Sequence, residues 1–193
     1  MIYNRAKGGV VVGRKMEPIR DPSKIEQMKT ELLKQGYRNY MLFVFGINTG
    51  LRISDILKLK VKDVKNKTHI VLNEQKTSKD KTFLINSQLK QDIDKYIEGM
   101  EDHEYLFQSQ KGDNKPISRV QAYRVLKAAA EEVGLEQVGT HTLRKTFGYH
   151  HYQQNQDVAI LQKLFNHSSP SVTLEYIGIN QDMLDKSMQN FYL

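Results

Sequence analysis

The segment Tyr37–Ile47, which reads YRNYMLFVFGI, constrains the fold more than any other part of the chain. Apolar residues occupy most of it rather than one stripe, and a helix of that kind is buried inside a protein. Gly36 precedes the segment and Gly50 follows it, so the helix should end near Gly50. Because the sequence holds no run of eighteen apolar residues, it predicts a core helix and no membrane span.

Local signals predict further helices around this one. Asp21 followed by Pro22 is a typical helix start, and Gly36 is the matching stop. Four more helices are predicted from side chains that can cap them, namely Ser54, Ser87, Ser118 and Asp157. Residues 140–154 form another helix, and residues 180–193 a last one, with the apolar residues Met183, Leu184, Met188 and Phe191.

The sheet content is predicted to be small. THIVLNE and KTFLIN are rich in β-branched and aromatic residues, and the polar loop Gln75–Asp80 joins them as a hairpin. VKDVKNK, just before, is a candidate third strand. The expected fold class is α+β, mostly helical, with a small antiparallel sheet. Residues 1–16 are interpreted as a basic arm, and residues 17–193 as one domain that includes the C-terminal helix.

The charge of the chain points to an anionic partner. Its 193 residues carry a net charge of +7, and lysines crowd residues 58–67 and 76–81. Since no amphipathic helix carries them, a phosphate backbone is a better partner than a membrane surface. The predicted DNA contacts are Lys58, Lys60, Lys62, Lys79 and Lys81. Cysteine is absent, which excludes disulfides and thiolate metal sites, and no signal peptide is recognised, so a cytoplasmic location is expected.

Four short segments carry residues suited to chemistry. They are Arg52 and Asp55 in TGLRISD, Lys76 in the hairpin loop, His141 and Arg144 in THTLRKTFGYHH, and His167 and Tyr176 in FNHSSPSVTLEYIG. Each segment alone has an ordinary explanation: a surface ion pair, a solvated lysine, a helix cap, a core tyrosine. Together they place cationic or proton-donating groups around one hydroxyl nucleophile.

That set of groups suits attack on a phosphodiester without a metal. Arginine presents forked donors that match phosphate oxygens, and its fixed charge stabilises the extra negative charge of the transition state. His141 and Arg144 are three residues apart, so on a helix they share a side and a phosphate can lie between them. His150 and His151 are poor joint metal ligands, because adjacent helical residues face about 100° apart. We predict no metal and no cofactor.

In this order, TGLRISDIL, QKTSKDKTFLI, HTLRKTF and LFNHSSPSVTLEYI resemble the boxes of the tyrosine recombinase catalytic domain, in the phage integrase family. The resemblance covers roughly residues 20–179, and four boxes in order are far more specific than one. It implies that Arg52 and Arg144 clamp the scissile phosphate and that Asp55 supports Arg52. It implies that His141 accepts or relays the tyrosine proton and that His167 donates a hydrogen bond.

The resemblance also implies the covalent step. Tyr176 would attack and become a 3′-phosphotyrosine, while Lys76 protonates the leaving 5′-oxygen. The expected function is a metal-independent, site-specific recombinase that integrates, excises or inverts double-stranded DNA. The expected assembly is a homo-oligomer on DNA, a tetramer joined through the C-terminal helix. The alternatives are a type IB topoisomerase, which shares the chemistry but reseals the same ends, and a DNA-binding module without activity.

Two departures from the family pattern stand out. Asn166 occupies a position where the family usually has glycine, and asparagine is the best non-glycine residue for the left-handed conformation expected there. About twenty residues precede the first helix, where many family members have a separate DNA-binding domain. The chain is therefore expected to be either a fragment or a minimal recombinase resembling the single-domain fimbrial invertases.

Overall fold

The protein is described by a computed structural model that covers residues 16–73, 80–179, 185–186, 188–189 and 191–192. The helices are α1 (Pro22–Gln35), α2 (Tyr37–Thr49), α3 (Ile53–Ile56), α4 (Ser87–Tyr96), α5 (Arg119–Glu132), α6 (Thr140–Asn155), α7 (Val158–Phe165) and α8 (Pro170–Ile177). The strands are β1 (His69–Asn73) and β2 (Asp80–Leu84). The predicted class, mostly helical with a small antiparallel sheet, is confirmed.

Helix α2 is the centre of the core, as its composition predicts. The run Met41–Phe45 is buried on all sides, and α1, α4 and α6 pack around it. Gly50 ends α2 in a left-handed conformation, with φ 62° and ψ 16°. A Cβ there would collide with the ring of Phe147 on α6, so glycine serves both the turn and the close approach of α6.

Most predicted helix ends are confirmed, and two predicted caps are wrong. Asp21, Ser118 and Asp157 each accept a hydrogen bond from a backbone N–H of the first turn, as predicted. The cap of α4 is Asn86, not Ser87, because Asn86 holds the extended conformation and its Oδ1 accepts from Leu89 N at 2.8 Å. Ser54 lies inside α3, which begins one residue earlier.

The sheet has two strands in the part of the chain that is described. β1 and β2 pair antiparallel, with His69 opposite Leu84 and Asn73 opposite Asp80. The predicted third strand, VKDVKNK, is wrong: residues Val61–Asp63 form a 3-10 helix. The Asp63 carboxylate accepts from Lys60 N at 2.8 Å, and the buried Val61 and Val64 share a side at a spacing of three. That spacing fits a helical turn and not the alternation of a strand.

Helices α6, α7 and α8 enclose a second, smaller hydrophobic cluster formed by Leu161, Phe165, Ile177 and Ile179. Gly148 lets α6 approach α8, since a Cβ there would lie 2.6 Å from Ile177 Cγ2. Sequence reasoning did not predict α8, although Ser169 caps it and Pro170 occupies its first turn. The two signals lie within the polar run NHSSPS, which resembles a loop.

The two chain ends are only partly described. The predicted arm lies outside the described residues except for Met16, and so do Met183 and Leu184 of the predicted last helix. Met188 and Phe191 are described, with exposed fractions of 64% and 62%. Among the helices that the structure describes, none has the length and apolar character needed to cross a membrane.

Candidate active site

Among the predicted site residues, Arg144 is buried, with an exposed fraction of 5%. Its guanidinium donates one hydrogen bond to the carbonyl of Gly50 and another to the carbonyl of Phe165, the second at 2.9 Å. Its Cζ also lies 4.1 Å from the centroid of the Phe165 ring. Gly50 ends α2 and Phe165 ends α7, where carbonyls lack helical partners. Arg144 therefore joins α6 to the ends of two other helices.

The charge of Arg144 is affected by its surroundings. The pKa of Arg144 is lowered to about 10, chiefly by burial and also by the nearby charge of Arg52, while Tyr176 and Asp55 oppose the shift. The guanidinium remains protonated at neutral pH. The charge of Arg144 also acts on the Tyr176 hydroxyl, so the predicted nucleophile lies near a predicted phosphate ligand.

Tyr176 lies in the last turn of α8. Its ring makes edge-to-face contacts with Phe165 and His167, at centroid distances of 5.7 and 5.0 Å. Burial raises the pKa of Tyr176 above its usual value of 10.0, although the charges of Arg144 and Arg52 pull it down. Without DNA the phenol therefore keeps its proton at neutral pH, and a reaction needs a group that accepts it.

His167 is positioned by the end of α7. Asn166 adopts the predicted left-handed conformation, with φ 55° and ψ 47°, and His167 N then donates to Gln162 O at 3.1 Å. His167 Nδ1 lies 3.1 Å from the Thr173 hydroxyl, which itself donates to Ser169 O. Because that hydroxyl uses its only proton on the carbonyl, it accepts from Nδ1–H. The imidazole therefore carries a proton on Nδ1.

His141 lies in the first turn of α6, with its side chain exposed at the surface. Partial desolvation lowers the pKa of His141 below its usual 6.5, and the positive charges of Arg119, Lys145, Arg144 and Arg52 lower it further. At neutral pH the imidazole is therefore mostly uncharged, and an uncharged imidazole can accept a proton. The arrangement gives this site a proton acceptor next to cations.

Arg52 and Asp55 border the same site. Arg52 is exposed at the N-cap of α3, and its charge acts on Arg144, His141 and Tyr176. Asp55 is half-buried, and its negative charge raises the pKa of Arg144. The structure thus brings together Arg52, Asp55, His141, Arg144, His167 and Tyr176 from three separate sequence segments.

The predicted lysines are only partly described. Lys58 and Lys62 are exposed, whereas Lys60 is half-buried with its Nζ 5.3 Å from the Tyr105 ring centroid. Lys76 and Lys79 lie outside the described residues, as does the side chain of Lys81. Within the described ranges, no group of three or more His, Asp or Glu side chains is placed to hold a metal ion.

Sequence reasoning missed two cations at the site, Lys145 and Arg119. Lys145 has an exposed fraction of 5%, and its Nζ lies 5.1 Å from the centroid of the Tyr176 ring. The signal was its position four residues after His141, which puts both on one face of α6. Arg119 begins α5, and only the fold brings its charge near His141.

The two remaining histidines of α6 have packing roles, in line with their interpretation from sequence. His150 Nε2 donates to the carbonyl of Ile19 at 2.9 Å. His151 lies against Phe147 at a ring centroid distance of 5.5 Å. Neither is placed among the residues around Tyr176.

The chain is similar to known proteins along most of its length. Residues 21–183 match the model of the "Phage integrase family". The chain is 56% identical over 167 residues to "Probable integrase/recombinase YoeC" of Bacillus subtilis, covering 86% of this chain and 92% of that protein. It is 28% identical over 159 residues to "Tyrosine recombinase XerA" of Pyrococcus furiosus, and there it spans only 55% of the relative's length.

Solved structures share the fold. The crystal structure of XerA recombinase aligns over 92% of this chain and 68% of that chain, with a TM-score of 0.70 and 19% identity. The XerH site-specific recombinase, solved bound to palindromic difH substrate as a post-cleavage complex, aligns over 94% of this chain and 55% of that chain, with a TM-score of 0.71 and 20% identity.

The lowered pKa of His141 predicts a pH dependence of stability. Between the folded pKa and the usual 6.5, the unfolded chain binds more protons, so the free energy of unfolding falls as pH drops below 6.5. Above 6.5 this contribution is constant. His141→Gln should remove its part of the decline, measured by urea unfolding between about pH 5 and about pH 8.

The matched control is His69→Gln on β1, where the histidine is exposed. This variant should retain the wild-type decline. An unchanged slope in His141→Gln would contradict the prediction.

Proposed function

The chain belongs to the phage integrase family, and on that premise we propose that it is the catalytic domain of a site-specific DNA recombinase that works through a 3′-phosphotyrosyl intermediate. One observation carries the proposal: Arg144, which is buried, and Tyr176 both pack on the ring of Phe165, with Arg144 Cζ 4.1 Å and the Tyr176 ring centroid 5.7 Å from the Phe165 ring centroid. A fixed cation suited to phosphate and a candidate nucleophile are therefore neighbours on one aromatic ring. The proposed domain is residues 17–193, with residues 1–16 as an arm.

In the proposed reaction, the Tyr176 oxygen attacks the scissile phosphorus and the 5′-oxygen leaves. Arg144 and Arg52 stabilise the charge on the non-bridging oxygens. The new phosphotyrosyl bond keeps the energy of the phosphodiester, so a 5′-hydroxyl of another strand can reverse the step. This balance of bonds needs no nucleotide cofactor.

His141 is the proposed acceptor of the Tyr176 proton. Burial keeps this phenol protonated without DNA, so attack at neutral pH requires a base. The mostly uncharged imidazole of His141 supports this role. His167 is proposed to donate to a phosphate oxygen, with its ring fixed by the contact of Nδ1 with Thr173.

Double-stranded DNA is the proposed substrate, held in part by the lysines of residues 58–62 and 79–81. The relatives are named as recombinases or integrases, which favours recombination over a topoisomerase-like nicking and closing reaction. The assembled set of site residues argues against an inactive binding module. We propose that the reaction needs no metal and takes place in the cytoplasm.

Replacing Tyr176 with Phe tests the nucleophile. Wild-type protein incubated with a pool of random-sequence nicked duplexes should yield a covalent adduct on denaturing gels, and sequencing the bound DNA identifies the site. Tyr176→Phe should bind the selected duplex and give no adduct, because the attacking oxygen is gone. EDTA should not change the wild-type yield.

An adduct that survives in Tyr176→Phe would refute the assignment of the nucleophile. Loss of the wild-type adduct in EDTA would refute only the metal-independent mechanism.

The proposed general acid is Lys76, and sulfur substitution tests it. An alkoxide must be protonated as it leaves, whereas a thiolate need not be, since thiols ionise near a pKa of about 8.5. Lys76→Ala should be inactive on ordinary DNA and recover on DNA with a bridging 5′-sulfur. Cleavage is measured on both substrates by gel electrophoresis.

Arg52→Ala and Arg144→Ala are the controls for this test. They should not recover, because the non-bridging oxygens are unchanged, and each loss should cost about a hundred- to a thousandfold in rate. Rescue of Lys79→Ala or Lys81→Ala in place of Lys76→Ala would move the acid to that lysine.

The C-terminal residues 180–193 are proposed to dock on a neighbouring copy of the chain in a tetramer on DNA. Exposed Met188 and Phe191 support this, since apolar side chains in the open favour a partner surface. Truncation after Ile179 should leave a folded domain with weaker cooperative assembly, measured by gel shift and thermal unfolding. If truncation unfolds the protein, the tail belongs to its own core and the proposal is wrong.

A further inference from the structure

We propose that Lys145 is a positioning residue that holds the Tyr176 ring for attack and stabilises its ionised form. The inference rests on the proposed role of Tyr176 as nucleophile. Lys145 follows Arg144 directly on α6 but has a different neighbour: its Nζ lies 5.1 Å from the centroid of the Tyr176 ring, while Arg144 Cζ lies 4.1 Å from the centroid of the Phe165 ring. Two adjacent cations thus contact two neighbouring aromatic rings.

Burial of the Lys145 ammonium is energetically unfavourable, and its contact with the face of the Tyr176 ring offsets part of that cost. An ammonium with an exposed fraction of 5% has lost most of its hydration, and burial of a charge is unfavourable without favourable contacts. A cation over an aromatic face is attracted by the ring quadrupole, and more strongly when both are out of water. The contact therefore fixes the ring while it offsets part of the cost of burial.

Further contacts restrict the ring. Phe165 and His167 meet it edge-to-face, with interplanar angles of 78° and 71°. With Lys145 over the ring, these three side chains restrict where the phenol oxygen lies. Such restriction lowers the entropic cost of reaching the geometry needed for attack, which is a large part of catalysis by orientation.

Ionisation strengthens the contact. When the Tyr176 proton passes to His141, negative charge appears on the oxygen and spreads into the ring carbons. The interaction with Lys145 then changes from cation and quadrupole to cation and anion, while the ammonium keeps its own protons. Lys145 therefore favours the reactive form more than the resting form, which is the condition for an effect on rate.

Other charged groups act on the same pair. Arg144 on α6 and Arg52 at α3 lower the pKa of Tyr176, and His167 contacts its ring from the segment between α7 and α8. Arg119 on α5 acts on His141, as Lys145 also does. Because those groups stay in place when Lys145 alone is changed, a difference between variants isolates the contribution of Lys145.

A titration without DNA tests the contact. Incorporation of 3-fluorotyrosine at position 176 allows the ionisation of that one phenol to be followed by ¹⁹F NMR. Lys145→Met and Lys145→Gln should raise the pKa of Tyr176 by about one unit, because removing the cation destabilises the phenolate. Lys145→Arg keeps the charge and should leave the pKa near the wild-type value.

The matched control is Lys163→Met, which removes an equal charge from an exposed position on α7 and should not move the pKa. Methionine fills a similar volume, and thermal unfolding of each variant checks that it folds. Should one neutral variant fail to fold, the other decides. A Tyr176 pKa unchanged in a folded neutral variant overturns the inference.

A second measurement, the rate of DNA cleavage, tests whether the contact between Lys145 and Tyr176 affects the reaction. In single-turnover cleavage near neutral pH, the neutral variants should be about tenfold slower, since one pKa unit leaves a tenfold smaller phenolate fraction. DNA affinity should be unchanged, and Lys145→Arg should recover the rate. Neutral variants with the wild-type rate and pH profile would overturn the inference. If wild-type protein itself makes no adduct, the proposed function fails, and the titration still decides whether Lys145 acts on Tyr176.

Discussion

The buried guanidinium of Arg144 is the interaction on which the rest of the site depends. It donates to the carbonyls of Gly50 and Phe165, at the ends of α2 and α7, where the backbone would otherwise lack partners. Helix C-termini also carry partial negative charge, which helps to offset the lost hydration of the cation. The group proposed to bind phosphate is therefore also a structural link. Its geometry is set before any DNA arrives, so little reorganisation remains for the reaction.

The electrostatics of the site describe a protein prepared for an anion. Arg52 lowers the pKa of Arg144, and four cationic side chains lower the pKa of His141, so these charges repel one another and repel protons. A phosphate among them relieves the repulsion. The pKa of Tyr176 is raised instead, because burial has a larger effect than the nearby cations, and the phenol therefore stays protonated. The resting site thus combines an uncharged phenol, the proposed nucleophile, with a mostly uncharged imidazole, the proposed base.

Sequence reasoning succeeded where a short segment determines its own conformation. The caps Asp21, Ser118 and Asp157 and the left-handed Asn166 follow from local rules, and the four boxes were visible in order. It failed by one residue at the start of α4, where Asn86 and Ser87 could each cap the helix. Only the backbone angles decide that Asn86 is the cap. It also failed at Val61–Asp63, where the Asp63 carboxylate closes a turn. Lys145 was missed because its contact with Tyr176 joins residues 31 apart in sequence, which only packing reveals.

The second hydrophobic cluster has a consequence for the dynamics of Tyr176, the proposed nucleophile. Leu161, Phe165, Ile177 and Ile179 form a core apart from the main one, under the helix that carries Tyr176. A small core supports a small cooperative unit, and such units open with less free energy than global unfolding. The amides of α7 and α8 should therefore exchange with solvent deuterium sooner than those of α2. The side chain proposed as the nucleophile would then lie on a unit that opens while the remaining helices stay folded.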